Sequence, residues 1–442
     1  MLAPPESVAA AVGVLRGAAE RAAGEAGLES AVRYLIRALD EVMDDEERSA
    51  LLLELAAAEA RLGRPEVIEH LREAAALAQT DEQRGEVALA LGHALYWAGD
   101  EEDGVEVVEQ ALGELTEIDN DLRRRLEAEL MVNAMRLASA HEDARRRVAS
   151  LDVAPSEGSG ARLLLSGQAY AIGTSGVGTR AEAISIAQET LAAMPLDELA
   201  WNYTAGIYAL MWGDALDEAL AFLDGALSEV RRRGAVLQFS SLSMTRALIQ
   251  YTRGALLDAE ADGRAALETM PHKHVWFVPH SHGWLAQILV ERGAVDEAAE
   301  VIARVPEPPD PFSRTPVHRA RALIAAARGD HRSALDQALR LGEALAGFGH
   351  VSAAASYPAW RSLAALAHHA LGAEDEALAL ASEEAELARA WGAPRTLGRA
   401  LRILGLIEGG ADGITTLREA VDTLADSPSR LEHAYALANL GA

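Results

Sequence analysis

Seven glycines at repeating intervals constrain the fold of this chain more than any other feature. Each ends a helix-like run, and an alanine or glycine stands seven places before it. They are Gly63, Gly99, Gly213, Gly254, Gly293, Gly329 and Gly372. Where they are consecutive, the gaps are 36, 41, 39, 36 and 43 residues, and the 114 residues from Gly99 to Gly213 are three times 38. Such a period predicts stacked repeats, which offer a long binding surface and no ready-made reaction centre.

The sequence around each glycine predicts a helix, a turn and a second helix. Alanine and leucine dominate, aromatic residues make up only 5% of the 442 residues, and strong helix formers fill nearly every segment. No alternating apolar and polar run predicts a strand. Glycine suits the left-handed turn that ends a helix, and the aspartate after it, as in Gly99-Asp100 and Gly213-Asp214, can cap the next helix. We therefore predict an all-α fold.

Small residues also follow the turns. They stand five places after the glycine, or six after Gly213, at Gly104, Ala219, Ala259, Ala298, Ala334 and Ala377. Small residues on both helices let a pair pack near the short end of the roughly 8–10 Å interaxial range.

The spacing weakens in three places. Residues 119–180 contain a polar loop at 152–160 and a glycine-rich stretch at 173–179, residues 306–311 are proline-rich and must form a loop, and Gly409-Gly410 ends a helix without the upstream spacing. We expect one continuous solenoid, able to bend near Gly160 or Pro308. Its parts are N-terminal repeats (1–160), central repeats with the candidate groove (161–310) and C-terminal repeats (311–442).

Composition excludes several classes of function. The formal net charge of −28 opposes binding to nucleic acid phosphates or an anionic membrane. The chain has no cysteine, which removes disulfides, thiolate metal sites and cysteine nucleophiles. No apolar stretch approaches a membrane span, and the start lacks a signal-peptide layout. We expect a cytoplasmic protein.

The repeat has the layout of tetratricopeptide repeats, which predicts a right-handed superhelix, although it runs a few residues longer than the usual 34. The amino-acid sequence of the repeats resembles the helical repeat region of the large ATP-binding LuxR-type, or MalT-like, transcriptional regulators. The resemblance is carried by AVRYLIRAL (31–39), LLLELAAAEARLGRPEVIEHLREAAALA (51–78), residues 87–112, EALAFLDGALSEVRRRG (218–234) and residues 366–410 and 417–442. It implies a sensory or regulatory role.

That family also carries an ATPase domain and a DNA-binding helix-turn-helix, and neither is recognisable here. The sequence has no G-x-x-x-x-G-K-[ST] motif, and the cluster Gly173 to Gly178 lacks the lysine of a phosphate loop. We expect an excised middle portion or a truncated relative, without direct contact to nucleic acid. No catalytic residue of the family's ATPase domain and no DNA-contacting residue of the family can therefore be assigned in this sequence.

In tetratricopeptide repeats the first helix of each pair lines the concave face, at positions 13, 10, 6, 3 and 2 before the turn glycine. In the central and later repeats this rule selects a mostly aromatic, thioether and neutral polar set, and adjacent Trp276 and Trp284 extend it. The candidate ligand-binding residues are Tyr203, Met211, Met244, Tyr251, Trp276, His280, Trp284, Gln287, Arg319 and His369. Such a lining suits a small, partly apolar ligand or a hydrophobic peptide; the alternative is ordinary packing between repeats.

The most unusual segment, residues 272–284, holds four histidines and three aromatic residues. Paired H-x-H motifs can bind zinc or copper, yet Pro279 breaks simple helical spacing and the segment has no carboxylate. An aromatic ligand wall with His280 or His282 as hydrogen-bond partner, and packing between repeats, are the other readings. We expect no metal and no cofactor.

The sequence has no local arrangement of a nucleophile, a general base and a residue that orients the base, so no pattern predicts an enzyme. The favoured function is an effector-sensing or protein-interaction region of a LuxR-type regulator, in which a small-molecule effector, protein or peptide fills the concave groove and alters the pitch between repeats. The alternative is a free-standing scaffold that binds a protein or peptide.

Overall fold

The computed structural model describes residues 5–25, 27–42, 44–134, 151, 153–175, 178–196, 204–270, 277–308, 310–347 and 359–442. Within these ranges the chain forms α-helices joined by short turns, one 3-10 turn at Pro155–Glu157 and no strand. The prediction of an all-α fold is confirmed.

The helices of the first half are α1 (Pro5–Gly24), α2 (Leu28–Leu39), α3 (Asp45–Leu62), α4 (Val67–Leu77), α5 (Asp81–Ala98), α6 (Glu101–Glu114), α7 (Asn120–Ala134), α8 (Ser159–Ser175), α9 (Arg180–Ala192), α10 (Thr204–Trp212) and α11 (Leu216–Arg232). Those of the second half are α12 (Val236–Arg253), α13 (Leu256–Thr269), α14 (Phe277–Glu291), α15 (Val295–Ala303), α16 (Pro311–Ala327), α17 (His331–Gly347), α18 (Trp360–Ala370), α19 (Glu374–Trp391), α20 (Pro394–Glu408), α21 (Gly410–Ala425) and α22 (Arg430–Gly441).

Each of the seven glycines lies at the turn inside a helix pair, as their regular spacing predicts. Six of them adopt left-handed backbone angles, for example Gly99 with φ of 89°. The amides of Gly99 and Asp100 both donate to the carbonyl of Leu95 at 3.0 Å, which satisfies the end of α5. Asp100 is the N-cap residue of α6, but its side chain makes no capping hydrogen bond. Antiparallel helix pairs of tetratricopeptide-like organisation result.

The exception is the turn between α10 and α11, where Asp214, not Gly213, is left-handed, with φ of 64°. Aspartate tolerates this conformation better than most side chains. Gly213 is needed for space, because a Cβ there would lie 2.5 Å from Cγ1 of Ile184. The expected turn chemistry is therefore shifted by one residue at this site.

Small residues stand where the paired helices cross, as predicted. A Cβ on Gly92 would lie 2.6 Å from a methyl group of Val108, and one on Gly104 would lie 3.4 Å from the carbonyl of Gly92. In the α14–α15 pair, Ala286 and Ala298 are fully buried. The crossing residues therefore hold the pairs together.

Three irregular segments differ from the expectation. The glycine-rich stretch begins inside α8, where Gly173 packs against the indole of Trp212. A Cβ on Gly173 would lie 2.7 Å from that ring. Pro279 lies in the first turn of α14, where a missing N–H costs nothing. Pro311 begins α16 behind an Asp310 cap, so the proline-rich loop ends one residue early.

The C-terminal helices fold back onto the middle of the chain. The indole Nε1 of Trp391 donates to the carbonyl of Trp212 at 2.9 Å, and the hydroxyl of Ser429 donates to the carbonyl of Thr252 at 2.7 Å. Both bonds are buried and join residues more than 170 positions apart. The ends of α10 and α12 are thereby covered by the chain itself.

The N-terminal repeats contact the same central region. Arg61 donates to the carbonyl of Arg233 at 2.8 Å, and the rings of Trp97 and Phe277 lie 6.0 Å apart. One buried apolar cluster includes residues from Tyr96 on α5 to Ile407 on α20. The superhelix is therefore tied together by tertiary contacts as well as by neighbouring repeats.

Candidate functional site

Three of the predicted lining residues meet in one buried polar network. Arg319 donates to the amide oxygen of Gln287 and, at 3.4 Å, to the hydroxyl of Tyr251. The Gln287 amide donates to the carbonyl of Pro316 at 2.9 Å, and the Tyr251 hydroxyl donates to Glu291 at 3.3 Å. These polar groups are satisfied by one another, so the network ties α12, α14 and α16 together.

His280 and Trp284 form a second buried cluster one turn away on α14. The Trp284 indole donates to Nε2 of His280 at 3.0 Å, and the imidazole of His280 stacks on Phe312 with ring centres 4.6 Å apart. His282 instead hydrogen-bonds to the carbonyl of Val278 through Nδ1 at 2.7 Å. Burial lowers the pKa of His282, so this ring is neutral near pH 7.

The remaining predicted residues lie apart from these clusters. Met211 and Met244 are buried in the main apolar core. His369 lies on the surface and contacts Glu374 through Nδ1 at 2.7 Å. Tyr203 and Trp276 lie outside the described residues. The structure thus brings Tyr251, Gln287 and Arg319 together and pairs His280 with Trp284.

The central face is closed by the C-terminal helices. Tyr435 on α22 donates to Glu291, and a Cβ on Gly254 would lie 3.0 Å from the amide of Leu431. Arg399 is buried in this region, and burial lowers the pKa of its guanidinium. The candidate residues of α12 and α14 therefore contact the chain's own side chains.

An open groove of about 630 Å³ lies instead in the N-terminal repeats. Its walls come from α3, α4, α5, α7 and α8, with Met194 closing one side. The apolar floor consists of Leu53, Ala56, Ala57, Ala60, Val67, Leu71, Leu89, Ala90, Ala94 and Leu163. This volume lies within the roughly 300–1,000 Å³ typical of ligand pockets.

Six of the nine groove residues of α3 and α5 follow the same spacing rule that selects the central residues. On α3 they stand 10, 6 and 3 places before Gly63, and on α5 they stand 13, 10 and 6 places before Gly99. They are Leu53, Ala57 and Ala60, and Glu86, Leu89 and His93. Applying the rule to the first two glycines selects these six residues, although it does not show that the groove beside them stays open.

Polar side chains at the groove are held in place by neighbours. Both terminal nitrogens of Arg125 donate to Glu86, at 2.8 and 2.7 Å. Burial alone would lower the pKa of Arg125, but the hydrogen bonds and charge of Glu86 outweigh it and raise the pKa. Glu129 is buried, accepts from the Asn133 amide at 3.0 Å and lies 3.7 Å from Nδ1 of His93. These groups can orient a ligand without rearranging.

The described residues contain no group of three or more histidine, aspartate or glutamate side chains placed to hold a metal ion. His272 and His274, part of the predicted H-x-H motifs, lie outside the described residues. In the part of the chain that the structure describes, no helix is long and apolar enough to cross a membrane.

Comparison with known proteins gives structural likenesses only. No family model matches the chain, and no curated protein sequence matches it.

Three solved structures are similar over nearly their whole length. A Rap protein complexed with competence and sporulation factor is 12% identical, with 99% of this chain and 97% of that chain covered and a TM-score of 0.39. The Cut9–Hcn1 hetero-tetramer of APC/C is 12% identical (97% and 95% covered, TM-score 0.37). The TPR domain of P58(IPK) is 13% identical (97% and 98% covered, TM-score 0.27). The assignment of a tetratricopeptide-like helical repeat rests on the helix pairs and turns of this chain.

Proposed function

We propose that this chain is a binding module that holds a partner segment or effector in the groove formed by α3, α4, α5, α7 and α8. The observation that carries the proposal is the open apolar groove, in which six lining residues of α3 and α5 stand at the positions predicted for the concave face of the repeats. Binding would exchange water on the alanine and leucine floor for apolar contact, at about 25 cal/mol per Å².

The finer proposal is that the module is the sensory region of a LuxR-type ATP-binding regulator. It is supported by the sequence resemblance of residues 51–78, 87–112 and 366–410 to that family. The first two of these segments contribute walls of the groove. A free-standing scaffold remains the alternative. Finding ATPase and helix-turn-helix segments in the parent reading frame supports the regulator, and a frame that lacks both favours the scaffold.

Contacts between the groove and the centre supply a route for signalling. Helix α5 lines the groove through His93 and packs Trp97 against Phe277 at the start of α14. Helix α3 lines it through Ala57 and reaches the α11–α12 turn through Arg61. A ligand that favours one tilt of α3 and α5 would therefore shift the central repeats, provided that its affinity differs between the two states.

A small molecule is the second candidate ligand, because the cavity volume suits one. The predicted central residues stay the second candidate site, centred on the Tyr251, Gln287 and Arg319 network and the pair His280 and Trp284. A chemically diverse thermal-shift screen tests both sites. Hits lost in Ala57→Trp place the ligand in the N-terminal groove, whereas hits lost in Trp284→Ala but kept in Ala57→Trp place it in the centre.

Ala57→Trp suits this test because Ala57 is exposed on the groove floor. An indole there fills the groove without entering the core. Ala76→Trp is the matched control, since Ala76 is an exposed alanine on α4 outside the groove lining. A screen in which Ala57→Trp and Ala76→Trp retain every hit of the parent protein would refute the N-terminal site.

A further inference from the structure

The negative charge of this protein is concentrated in the N-terminal repeats, which supply most of the groove. Residues 1–134 contain 30 acidic and 12 basic residues, hence a formal charge of −18 out of the total of −28. The other 308 residues therefore carry only −10. A surface potential of one sign attracts ligands of the opposite sign and raises their rate of association.

The charged groups inside the groove balance one another. Its lining holds two carboxylates, Glu86 and Glu129, and two guanidinium groups, Arg125 and Arg162. Glu86 and Arg125 are joined by two hydrogen bonds, and the floor between the charged groups is apolar. The interior therefore suits an apolar surface, while the surrounding repeats determine the favoured charge of the rest of the ligand.

The groove also crosses several repeats. Four of the five helices that line it, α3, α5, α7 and α8, form a row in which each contacts the next. At roughly 8–10 Å between neighbouring helix axes, four helices span about 25–30 Å. An extended peptide of about eight or nine residues covers that distance at about 3.3 Å per residue. The dimensions therefore fit a chain segment.

We propose that the groove binds a cationic, amphipathic peptide segment of a partner protein. The apolar side chains of the segment lie on the alanine and leucine floor, and its lysine or arginine side chains face the acidic N-terminal repeats. This inference rests on the proposed function, since it assigns the chemistry of the ligand for the same groove. The charge complementarity chiefly sets the association rate and the choice of partner.

The test uses the full chain and three fluorescein-labelled peptides of about nine residues, the length that spans the groove in an extended conformation. The first alternates leucine and lysine, so that its leucines lie on one face of the extended chain. The second replaces each lysine by glutamate, and the third replaces each leucine by serine. Fluorescence anisotropy measures their affinities for the parent protein, Ala57→Trp and Ala76→Trp.

We expect the leucine–lysine peptide to bind at least about tenfold more tightly than either control peptide, because it alone combines both features. Its affinity should fall as salt rises from roughly 50 to 500 mM, since screening shortens the range of the acidic field. Ala57→Trp should weaken binding about tenfold or more, a loss of about 1.4 kcal/mol, and Ala76→Trp should not change it.

Two kinds of result overturn the inference. Equal or tighter binding of the leucine–glutamate peptide, still sensitive to Ala57→Trp, refutes the cationic ligand and leaves the groove intact as a binding site. Binding of the lysine peptide that survives Ala57→Trp places the peptide elsewhere and also refutes the inference. If no peptide and no screening compound binds in a way that Ala57→Trp changes, the proposed function fails with it.

Discussion

The buried ion pair between Asp214 and Arg395 is the contact whose loss should most weaken closure of the superhelix. Nε of Arg395 lies 3.0 Å from Oδ1 of Asp214, and the two side chains are 3% and 2% exposed. The carboxylate also accepts the backbone N–H of Arg395 at 2.7 Å. We choose Asp214→Asn, because asparagine keeps the shape, tolerates the left-handed backbone and can still accept that N–H.

The expected loss of stability comes from removing the negative charge that faces the buried guanidinium of Arg395. With an effective dielectric constant of about 20, two unit charges at this distance attract by roughly 5 kcal/mol. Removing one partner of a buried pair typically costs about 3–5 kcal/mol, because the remaining charge stays desolvated. The contact from Arg395 to the carbonyl of Met211 is long, at 3.4 Å, and offsets little of this loss. We expect Asp214→Asn to lower the free energy of unfolding by about 3 kcal/mol or more.

Urea denaturation followed by circular dichroism measures this loss. Asp336→Asn is the control, because its ion pair with Arg340 is an exposed i,i+4 pair with both side chains 55% exposed, worth about 0–1 kcal/mol. Hydrogen exchange should also quicken selectively at the start of α20 in Asp214→Asn. Equal losses below about 1 kcal/mol in Asp214→Asn and Asp336→Asn would show that the buried pair does not hold the closure.

Three further predictions concern packing and pH. Replacing the fully buried Ala298 by leucine should wedge α14 and α15 apart and cost about 1–3 kcal/mol, measured by urea denaturation. Gly405→Ala should also destabilise the protein, because its Cβ would lie 2.8 Å from the carbonyl of Gly413, whereas Gly113→Ala should stabilise it by roughly 0.5–1 kcal/mol, since nothing lies within 4 Å. Hydrogen bonds from the neighbouring Arg232 lower the pKa of Glu229 to about 2, against burial. Its contribution to stability is therefore complete above its unfolded pKa of 4.5 and is lost as pH falls towards 2, and Glu229→Gln should lack this part of the acid dependence.

Each of these predictions has an outcome that contradicts it. Ala326→Leu, at an exposed alanine of α16, controls for the added volume, and equal stability of Ala298→Leu and Ala326→Leu would refute the tight crossing. A stabilising Gly405→Ala would show that α20 and α21 do not approach closely. Parallel acid-denaturation curves for Glu229→Gln and the parent protein would show that these hydrogen bonds do not govern the titration.

The turn glycines illustrate how far local sequence predicts local structure. Gly254 and Gly293 end their helices in the left-handed conformation, because a helix end needs that conformation whatever surrounds it. At Gly213 the same reasoning chose the wrong residue for the left-handed position. Asp214 takes it instead, and there its carboxylate reaches Arg395, which is 181 positions away.

The site was harder to predict than the fold. The spacing rule identified residues on the inner side of the first helices, and Tyr251, Gln287 and Arg319 do lie close together. The aromatic and polar side chains of these residues favoured the central repeats as the predicted site. No local pattern could indicate that Ser429 and Tyr435 would pack against those repeats and close them.

The sequence by itself determined the helix pairs and their turns, because glycine, alanine and leucine act through the backbone and through contacts a few residues away. Only the tertiary structure decided which stretch of the inner face stays open. That choice depends on contacts such as Trp391 with Trp212 and Arg395 with Asp214, which join residues about 180 positions apart. Such contacts depend on how small rotations accumulate from repeat to repeat, and a groove of leucine and alanine looks the same in sequence as a packed core.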